Sequence, residues 1–396
     1  SSITTHRFSF EDAIEAYDLI REHEEPHVGI LLDYDLEKPL ESTVRVGSPR
    51  SHVPSDRLGI GFVGAGNYAS VHLIPHTGDH DRVEHVGLVT ATGRSARQKA
   101  EKFDFRYATT ELDGLLEDER VDAVFIATRH STHADFARRA LEAGKHVFVE
   151  KPLAVTEEQL AQVTEAYESA QTRRPTGLMV GLNRRFAPMV RELREALPDG
   201  VPRQMLYRVN SGPIDPDSWL HRPEEGGGML IGEMCHFVDL MQFVTGERPE
   251  EVYARSLRID TESLADHDNV SITVTFDGGS VGTLCYNTVG DSAAPKERFE
   301  VYGGGTVGVL NDFRRLTVTK NGSSSKTRKW NQDKGQPNQM KETIKAFRVF
   351  GQAPIPFDEL VNGMRVIFAA RKSLRTGAPV AVENSRTVIT QTEADR

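Results

Sequence analysis

From Leu58 onward the chain alternates short apolar runs with amphipathic stretches. LGIGFV (58–63), VEHVGLV (83–89), VDAVFIAT (121–128), HVFV (146–149) and TGLMVGL (176–182) read as buried strands. Between them GAGNYASVHLIPH, SARQKAEKF, HADFARRALEAG and TEEQLAQVTEAYESAQ read as turn and helix, the third closed by Gly144. This alternation predicts a doubly wound parallel sheet over residues 58–182.

Beyond that point the period changes to two. After a helix near PMVRELREAL, the segments RQMLYRVN, EVYARSLRID, NVSITVTF, SVGTLCYN and RFEVYG alternate apolar and polar residues, with turn signals such as DGG between them. They predict a large, mostly antiparallel sheet over residues 183–396, with the helix of GGGMLIGEMCHFVD (226–239) inserted between its first two strands. Helices near 336–349 and 357–373 close the chain. The fold class is thus an α/β Rossmann domain (58–182) followed by an α+β domain with an open sheet, expected to bind substrate and to oligomerise. Residues 1–35 hold one helix, started at Ser9 and Asp12, and one strand in HVGILLDYD. Residues 36–57 read as a linker.

Composition narrows the class. With 27% charged and 38% hydrophobic residues, and no apolar run near the roughly 20 residues of a membrane span, a water-soluble protein without a membrane partner is expected. The net charge of -10 argues against nucleic acid, whose phosphates call for a basic face. Two cysteines without CxxC spacing, and no basic-then-apolar leader, fit a reducing, cytoplasmic setting.

GFVGAGNYA places Gly64, Gly66 and Ala69 in a GxGxxA pattern between strand and helix. The first glycine permits the turn, the second lets a pyrophosphate approach the backbone, and the small third residue lets helix and strand pack. Gly64, Gly66, Asn67 and Tyr68 are therefore expected dinucleotide contacts. The end of the second strand, LVTATGRSA, has no acid but carries Arg94 beside Thr90, which tilts the expectation toward NADP while leaving NAD open. Thr128, Arg129 and His130 follow the third strand, where cofactor contacts or a plain loop are both reasonable readings. Glu150, Lys151 and Pro152 leave the next strand at the same carboxyl edge, where Glu150 and Lys151 are expected to contact the cofactor, and a lysine there demands a partner.

Together, GAGNYA, AGKHVFVEKPL and GGGMLIGEMCHFVD resemble the Gfo/Idh/MocA oxidoreductase family. The resemblance implies that Lys151 and His236 flank the reacting carbon of a sugar, sugar nucleotide (a UDP-sugar or uronate) or inositol-like polyol, and that the protein is a homodimer or homotetramer. The family pattern GGGxLxDxGxH puts an acid four residues before the histidine, where this chain has Gly232 followed by Glu233. ATRHSTH, NRRFAP, SWLHRPEEGGG and KERFEVYG look like the bi-domain, WbpB-like branch. Residues 1–35 resemble the end of a zinc-type alcohol dehydrogenase, which implies a remnant of a larger upstream domain.

Alcohol oxidation needs a proton acceptor and a stabiliser of developing negative charge. His236 and Lys151 are the candidates, either of them able to be the base, with Glu233 or Asp239 orienting the imidazole. A satisfied core histidine is the competing reading of His236. Arg184, Arg185, Tyr207, Asn210, Trp219 and His221 are candidate substrate contacts, each with an ordinary packing alternative. No metal is expected: His72, His76 and His80 recur at helical spacing, but Pro75 interrupts them and no complete ligand set emerges. Two further readings remain open, a non-catalytic dinucleotide sensor or regulatory subunit and a fragment that depends on a missing partner domain.

Overall fold

The computed structural model describes residues 3–22, 25–35, 42–46, 56–78, 82–215, 217–257 and 268–383, with the backbone alone at Glu11 and at 93–95. Contacts divide the chain into two compact units, Ser1–Ser42 and Thr43–Arg396.

In the first unit, β1 (His6–Ser9) and β2 (Ile30–Asp33) pair in parallel across the helix Ala13–Glu22. Ser9 caps the turn as its sequence suggested, accepting a hydrogen bond from the Asp12 amide at 3.3 Å. The strand His6–Ser9 is an element the hydropathy pattern did not announce, because four residues of HRFS carry too little periodicity.

The second unit holds two sheets. The first contains β3 (Thr43–Arg45), β4 (Leu58–Val63), β5 (Val83–Val89), β6 (Tyr107–Thr109), β7 (Ala123–Ile126), β8 (His146–Val149) and β9 (Leu178–Val180). Its order is β3-β6-β5-β4-β7-β8-β9, parallel apart from β3, which lies antiparallel to β6. This is the expected doubly wound sheet, and its apolar strands are buried throughout β4 and β7. The edge strand β3 falls inside the stretch expected to be linker.

The second sheet has nine strands: β10 (Gln204–Asn210), β11 (Pro249–Ser256), β12 (Val270–Phe276), β13 (Val281–Asn287), β14 (Glu297–Gly303), β15 (Thr306–Asn311), β16 (Arg315–Lys320), β17 (Ser323–Arg328) and β18 (Val380–Ala381). The order is β17-β16-β15-β14-β10-β13-β12-β11-β18, antiparallel except where β10 meets β13. Helices Gln336–Phe350 and Phe357–Thr376 follow where expected. Alternate residues of β12, β13 and β14 are buried, so one face carries the core and the other faces outward.

The segment GGGMLIGEMCHFVD is not one helix. A short helix, Gly228–Gly232, ends at Glu233 (φ -131°, ψ -31°), and a second runs from Cys235 to Thr245. Glu233 and His236 therefore do not share a helical face, which corrects the expectation of a continuous helix. The break has a local cause: with Gly232 in the last turn, the chain leaves helical geometry just where the Glu233 side chain turns to partners on the sheet.

Candidate active site

The carboxyl edge of the parallel sheet gathers the loops that follow β4, β7 and β8. After β4, Gly64 adopts φ +91°, and a Cβ there would lie 2.4 Å from the carbonyl oxygen of Ala127, so this turn demands glycine. Gly66 is the opposite case, since a Cβ there would meet nothing within 4 Å. Open space over a glycine at the mouth of a helix suits a pyrophosphate pressed against the backbone, and the residues present fit a nicotinamide dinucleotide. Ala69 is buried, and the chain makes a π-helical turn, Ala69–Leu73, before the short helix Ile74–Gly78. Thr90 donates to the carbonyl of Thr92 at 2.9 Å, and Lys99 reaches the carbonyl of Ala65. The side chain of Arg94 lies outside the described residues, as does His80.

The loop after β7 is occupied by aromatic and cationic contacts. Thr128 is bonded to Thr132 at 2.7 Å, and the Arg129 guanidinium lies 4.2 Å from the ring centre of Trp219. His130 meets the same indole edge-on at 4.8 Å and donates from Nδ1 to the carbonyl of Gly226 at 2.9 Å. Burial, then the charge of Lys151, pushes the His130 pKa down to about 3, so the ring is neutral and its Nε2 carries a lone pair. His133 was not singled out in the sequence. It is buried with Nδ1 2.8 Å from the carbonyl of Pro152 and Nε2 3.3 Å from that of Thr128, tying the β7 and β8 loops together. Burial holds its pKa down at about 4.

After β8, Lys151 precedes Pro152 across a cis peptide bond and donates from Nζ to the carbonyl of Gly232 at 2.9 Å. The Lys151 amide donates to Glu150 Oε2 at 3.3 Å, while Glu150 Oε1 is buried without a partner among the described residues. Burial raises the Glu150 pKa to about 7. Tyr68 lies within electrostatic reach of Glu150 and Arg184, and its phenol pKa is raised, by burial first and then by Glu150.

The second half of the site comes from the broken helix and the antiparallel sheet. Glu233 accepts hydrogen bonds from the Tyr286 hydroxyl and from Lys296 Nζ, the latter at 3.2 Å. Burial acts to raise its pKa, but Lys296, Lys151 and Arg184 outweigh it and the carboxylate is ionised below the usual range. His236 is buried, and its Nδ1 has no hydrogen-bond partner among the described residues. Burial lowers its pKa well below the ordinary value, and Arg184, Lys151, Lys334 and Lys296 lower it further. Neither expected orienter bonds its ring. Glu233 is committed to Tyr286 and Lys296, and Asp239 is committed to Arg185 at 2.6 and 3.0 Å.

The expected substrate contacts divide. Arg184 is buried in a two-point pair with Glu297 at 2.9 and 3.0 Å, which also accepts from the Tyr207 hydroxyl at 2.6 Å and Lys334 at 2.7 Å. Arg185 bonds Asp239 and also Glu359 at 2.8 Å. Asn210 donates to the carbonyl of Asp291 at 2.7 Å, and His221 is held by Asp268 at 2.6 Å. Trp219 does reach across to the first sheet, through Arg129 and His130. Lys296 and Tyr286 were missed by sequence reading. Lys296 opens the quoted run KERFEVYG and stands one residue before β14, where its carbonyl accepts from the Asn210 amide at 2.8 Å at the end of the β10–β14 pairing. Among the described residues no group of three or more His, Cys, Asp or Glu side chains could hold a metal ion.

An oxidoreductase of Bacillus subtilis, YrbE, is 25% identical over 83% of this chain and 97% of its own length. The myo-inositol 2-dehydrogenase of Thermotoga maritima is 28% identical over 65% of this chain and 77% of its own. Among solved structures, levoglucosan dehydrogenase in complex with NADH and levoglucosan superposes with a TM-score of 0.72 at 20% identity, covering 82% of this chain and 99% of that one. The model described as "Oxidoreductase family, NAD-binding Rossmann fold" matches residues 58–180, and the "GFO/IDH/MocA C-terminal domain" matches residues 202–306. These two adjoining matches span the turn of Gly64 and Gly66, Lys151 and His236, and the chain belongs to the Gfo/Idh/MocA oxidoreductase family.

Proposed function

We propose that this protein is an NAD(P)-dependent dehydrogenase that oxidises a secondary alcohol of a sugar or polyol, with residues 58–182 holding the dinucleotide and 183–396 the substrate. The observation that carries this reading is the meeting of Lys151, from the edge that bears the Gly64–Gly66 turn, with the Gly232 carbonyl at the break between the two helices that lead to His236. The relatives that act on myo-inositol and levoglucosan support the substrate class.

Gly64, Gly66, Asn67 and Tyr68 would hold the dinucleotide, with Thr90 and Thr128 beside them; when bound, its nicotinamide ring accepts the hydride. Lys151 places a positive charge where the alcohol oxygen gains negative charge. Burial and the surrounding cations keep His236 neutral, so its imidazole is free to accept the hydroxyl proton, while the same surroundings make it a weaker base than an ordinary histidine. Glu233, fixed by Tyr286 and Lys296, accepts hydrogen bonds from substrate hydroxyls. Arg184, Arg185 and Tyr207 support the site from behind through Glu297 and Asp239.

The wider similarity to the bi-domain branch is supported by the parallel β1-helix-β2 arrangement of residues 6–33. The outward face of the nine-stranded sheet is the surface for a homodimer or homotetramer. A reducing cytoplasmic setting fits the two free cysteines.

The test is to mix the protein with NAD+ or NADP+ and a panel of inositols, aldoses, uronates and sugar nucleotides, following absorbance of the reduced cofactor. Lys151→Ala is expected to lower kcat by roughly 10²- to 10⁴-fold while dinucleotide still binds. Dinucleotide binding with no turnover on any member of the panel would favour the sensor reading.

A further inference from the structure

His130 and His133 stand one turn apart at the start of the helix His130–Glu142, and each holds a different half of the site. His130 Nδ1 donates to the carbonyl of Gly226 at 2.9 Å, on the segment that leads into the short helix Gly228–Gly232, and its ring packs against Gly232 itself. His133 Nδ1 donates at 2.8 Å to the carbonyl of Pro152, the residue that follows Lys151. Lys151 closes the circuit by donating to the carbonyl of Gly232 at 2.9 Å. One helical turn thus braces both partners of the lysine contact.

The two imidazoles have little freedom to do anything else. They are 6% and 1% exposed, so neither N–H can turn to water. A carbonyl oxygen only accepts, and each Nδ1 therefore carries the ring proton. Burial keeps both rings neutral, with one N–H each. In His133 the shorter contact takes that proton, since Nε2 faces the carbonyl of Thr128 at 3.3 Å. Two further bonds run alongside: the Ser131 amide donates to the carbonyl of Glu225 at 3.1 Å, and Gln159 joins the Val155 amide to the carbonyl of Ser131 at 2.9 and 3.4 Å. These align the segments, but neither touches Pro152 or Gly232, where the lysine is placed.

We propose that His130 and His133 are positioning residues that, through the carbonyls of Gly226 and Pro152, set where the Lys151 ammonium meets Gly232. The inference rests on the dehydrogenase reading for its effect on kcat, whereas the placement of Lys151 is measured without turnover. Asparagine puts its amide nitrogen where Nδ1 of a histidine stands, and glutamine puts its own where Nε2 stands. Glutamine also fills the volume of the ring better. A residue needed only for packing therefore tolerates His133→Gln better than His133→Asn, and a positioning residue ranks the two the other way.

Trace labelling of lysines with acetic anhydride, read at Lys151 by mass spectrometry, measures how firmly the ammonium is held. In His133→Gln the Lys151 rate is expected to rise about fivefold, the net worth of one hydrogen bond. On whichever substrate the dehydrogenase panel identifies, kcat should fall about tenfold or more. His133→Asn should keep both near the parent values. In a Lys151→Ala background there is no ammonium to place, and His133→Gln should then change kcat by less than about twofold. Unchanged labelling in His133→Gln, the reverse order of the two variants, or a kcat loss that persists in full without Lys151 overturns the proposal. If His133→Gln does not fold, the same labelling of His130→Gln and His130→Asn decides it, and equal Lys151 rates in those two overturn it. Failure of the dehydrogenase reading looks different: no panel member is turned over, while the Lys151 labelling still ranks the variants.

Discussion

His130 occupies the space that a side chain at position 232 would need. A Cβ on Gly232 would lie 2.8 Å from Cε1 of His130, and the ring cannot swing aside freely because Gly226 and Trp219 hold it. The carbonyl of the same Gly232 receives the Lys151 ammonium. The glycine at this position therefore serves packing on one side and lysine placement on the other.

Gly232→Ala should consequently displace the Lys151 contact and lower kcat by at least about tenfold, since a shift of an ångström at a reacting centre costs up to roughly 10²-fold. Removing the obstacle should help. Steady-state kinetics of Gly232→Ala, His130→Ala and the double variant check this: the double variant should be more active than the product of the two single effects. Independent, multiplying effects would show that the contact is not what excludes a side chain here.

The two glycines of the dinucleotide turn should part company on substitution. Gly64→Ala puts a Cβ against the backbone at a positive φ and is expected to cost about 1–3 kcal/mol of stability, read by urea unfolding. Gly66→Val projects into open space, so it should unfold near the parent midpoint while weakening NADH binding by about tenfold or more, read by fluorescence titration. A Gly66 variant that binds dinucleotide normally would remove that face from the cofactor site.

Much of this was legible in the sequence, and the parts that were not have identifiable reasons. The parallel strands of residues 58–182 declare themselves because each is buried on both faces, and Gly64 and Gly66 because a strand-turn-helix context surrounds them. The helix break at Glu233 was hidden, since MLIGEMCHFVD has helical apolar spacing throughout and nothing in that spacing announces that Glu233 bonds Tyr286 and Lys296. Arg184 and Arg185 looked like ligand-binding forks because an adjacent arginine pair does not say which carboxylates will face it. Glu297 lies 113 residues from Arg184 and Asp239 lies 54 from Arg185, distances over which no local pattern operates. Strand β3 escaped notice for the same reason, three exposed residues being defined by their partner Tyr107–Thr109 alone.

Glu297 should behave as a buried anion with three donors. Burial acts against its charge, but Arg184 and Lys334 overcome that and hold its pKa far below the usual carboxylate range. A depressed folded pKa means stability that is present above the unfolded carboxylate pKa and lost as pH falls through the folded value. Glu297→Ala leaves Arg184 buried without its partner and is expected to cost about 3–5 kcal/mol at neutral pH. Denaturant unfolding at pH 7 measures it, and a cost below about 1 kcal/mol would mean that Arg184 finds water or another anion in the variant.

Glu150 should have the opposite pH signature. It is buried with one oxygen lacking a partner, and Gly181 makes the room: a Cβ there would lie 2.6 Å from Oε1. Burial raises its pKa from 4.5 to about 7, against the pull of Lys151. A raised folded pKa means that the protonated form is the one the fold prefers, so its contribution is fully present below about pH 4.5 and is lost as pH rises through about 7. The interval between those two values corresponds to at most about 3 kcal/mol. Glu150→Gln keeps the shape and removes the titration. Urea unfolding of parent and variant from pH 5 to pH 8 should show the variant gaining on the parent across that range, by up to about 3 kcal/mol at the alkaline end and by little at pH 5. Parallel pH profiles would show instead that the Lys151 charge compensates the buried carboxylate, and the same result would place an ionised Glu150 beside the reacting centre at neutral pH.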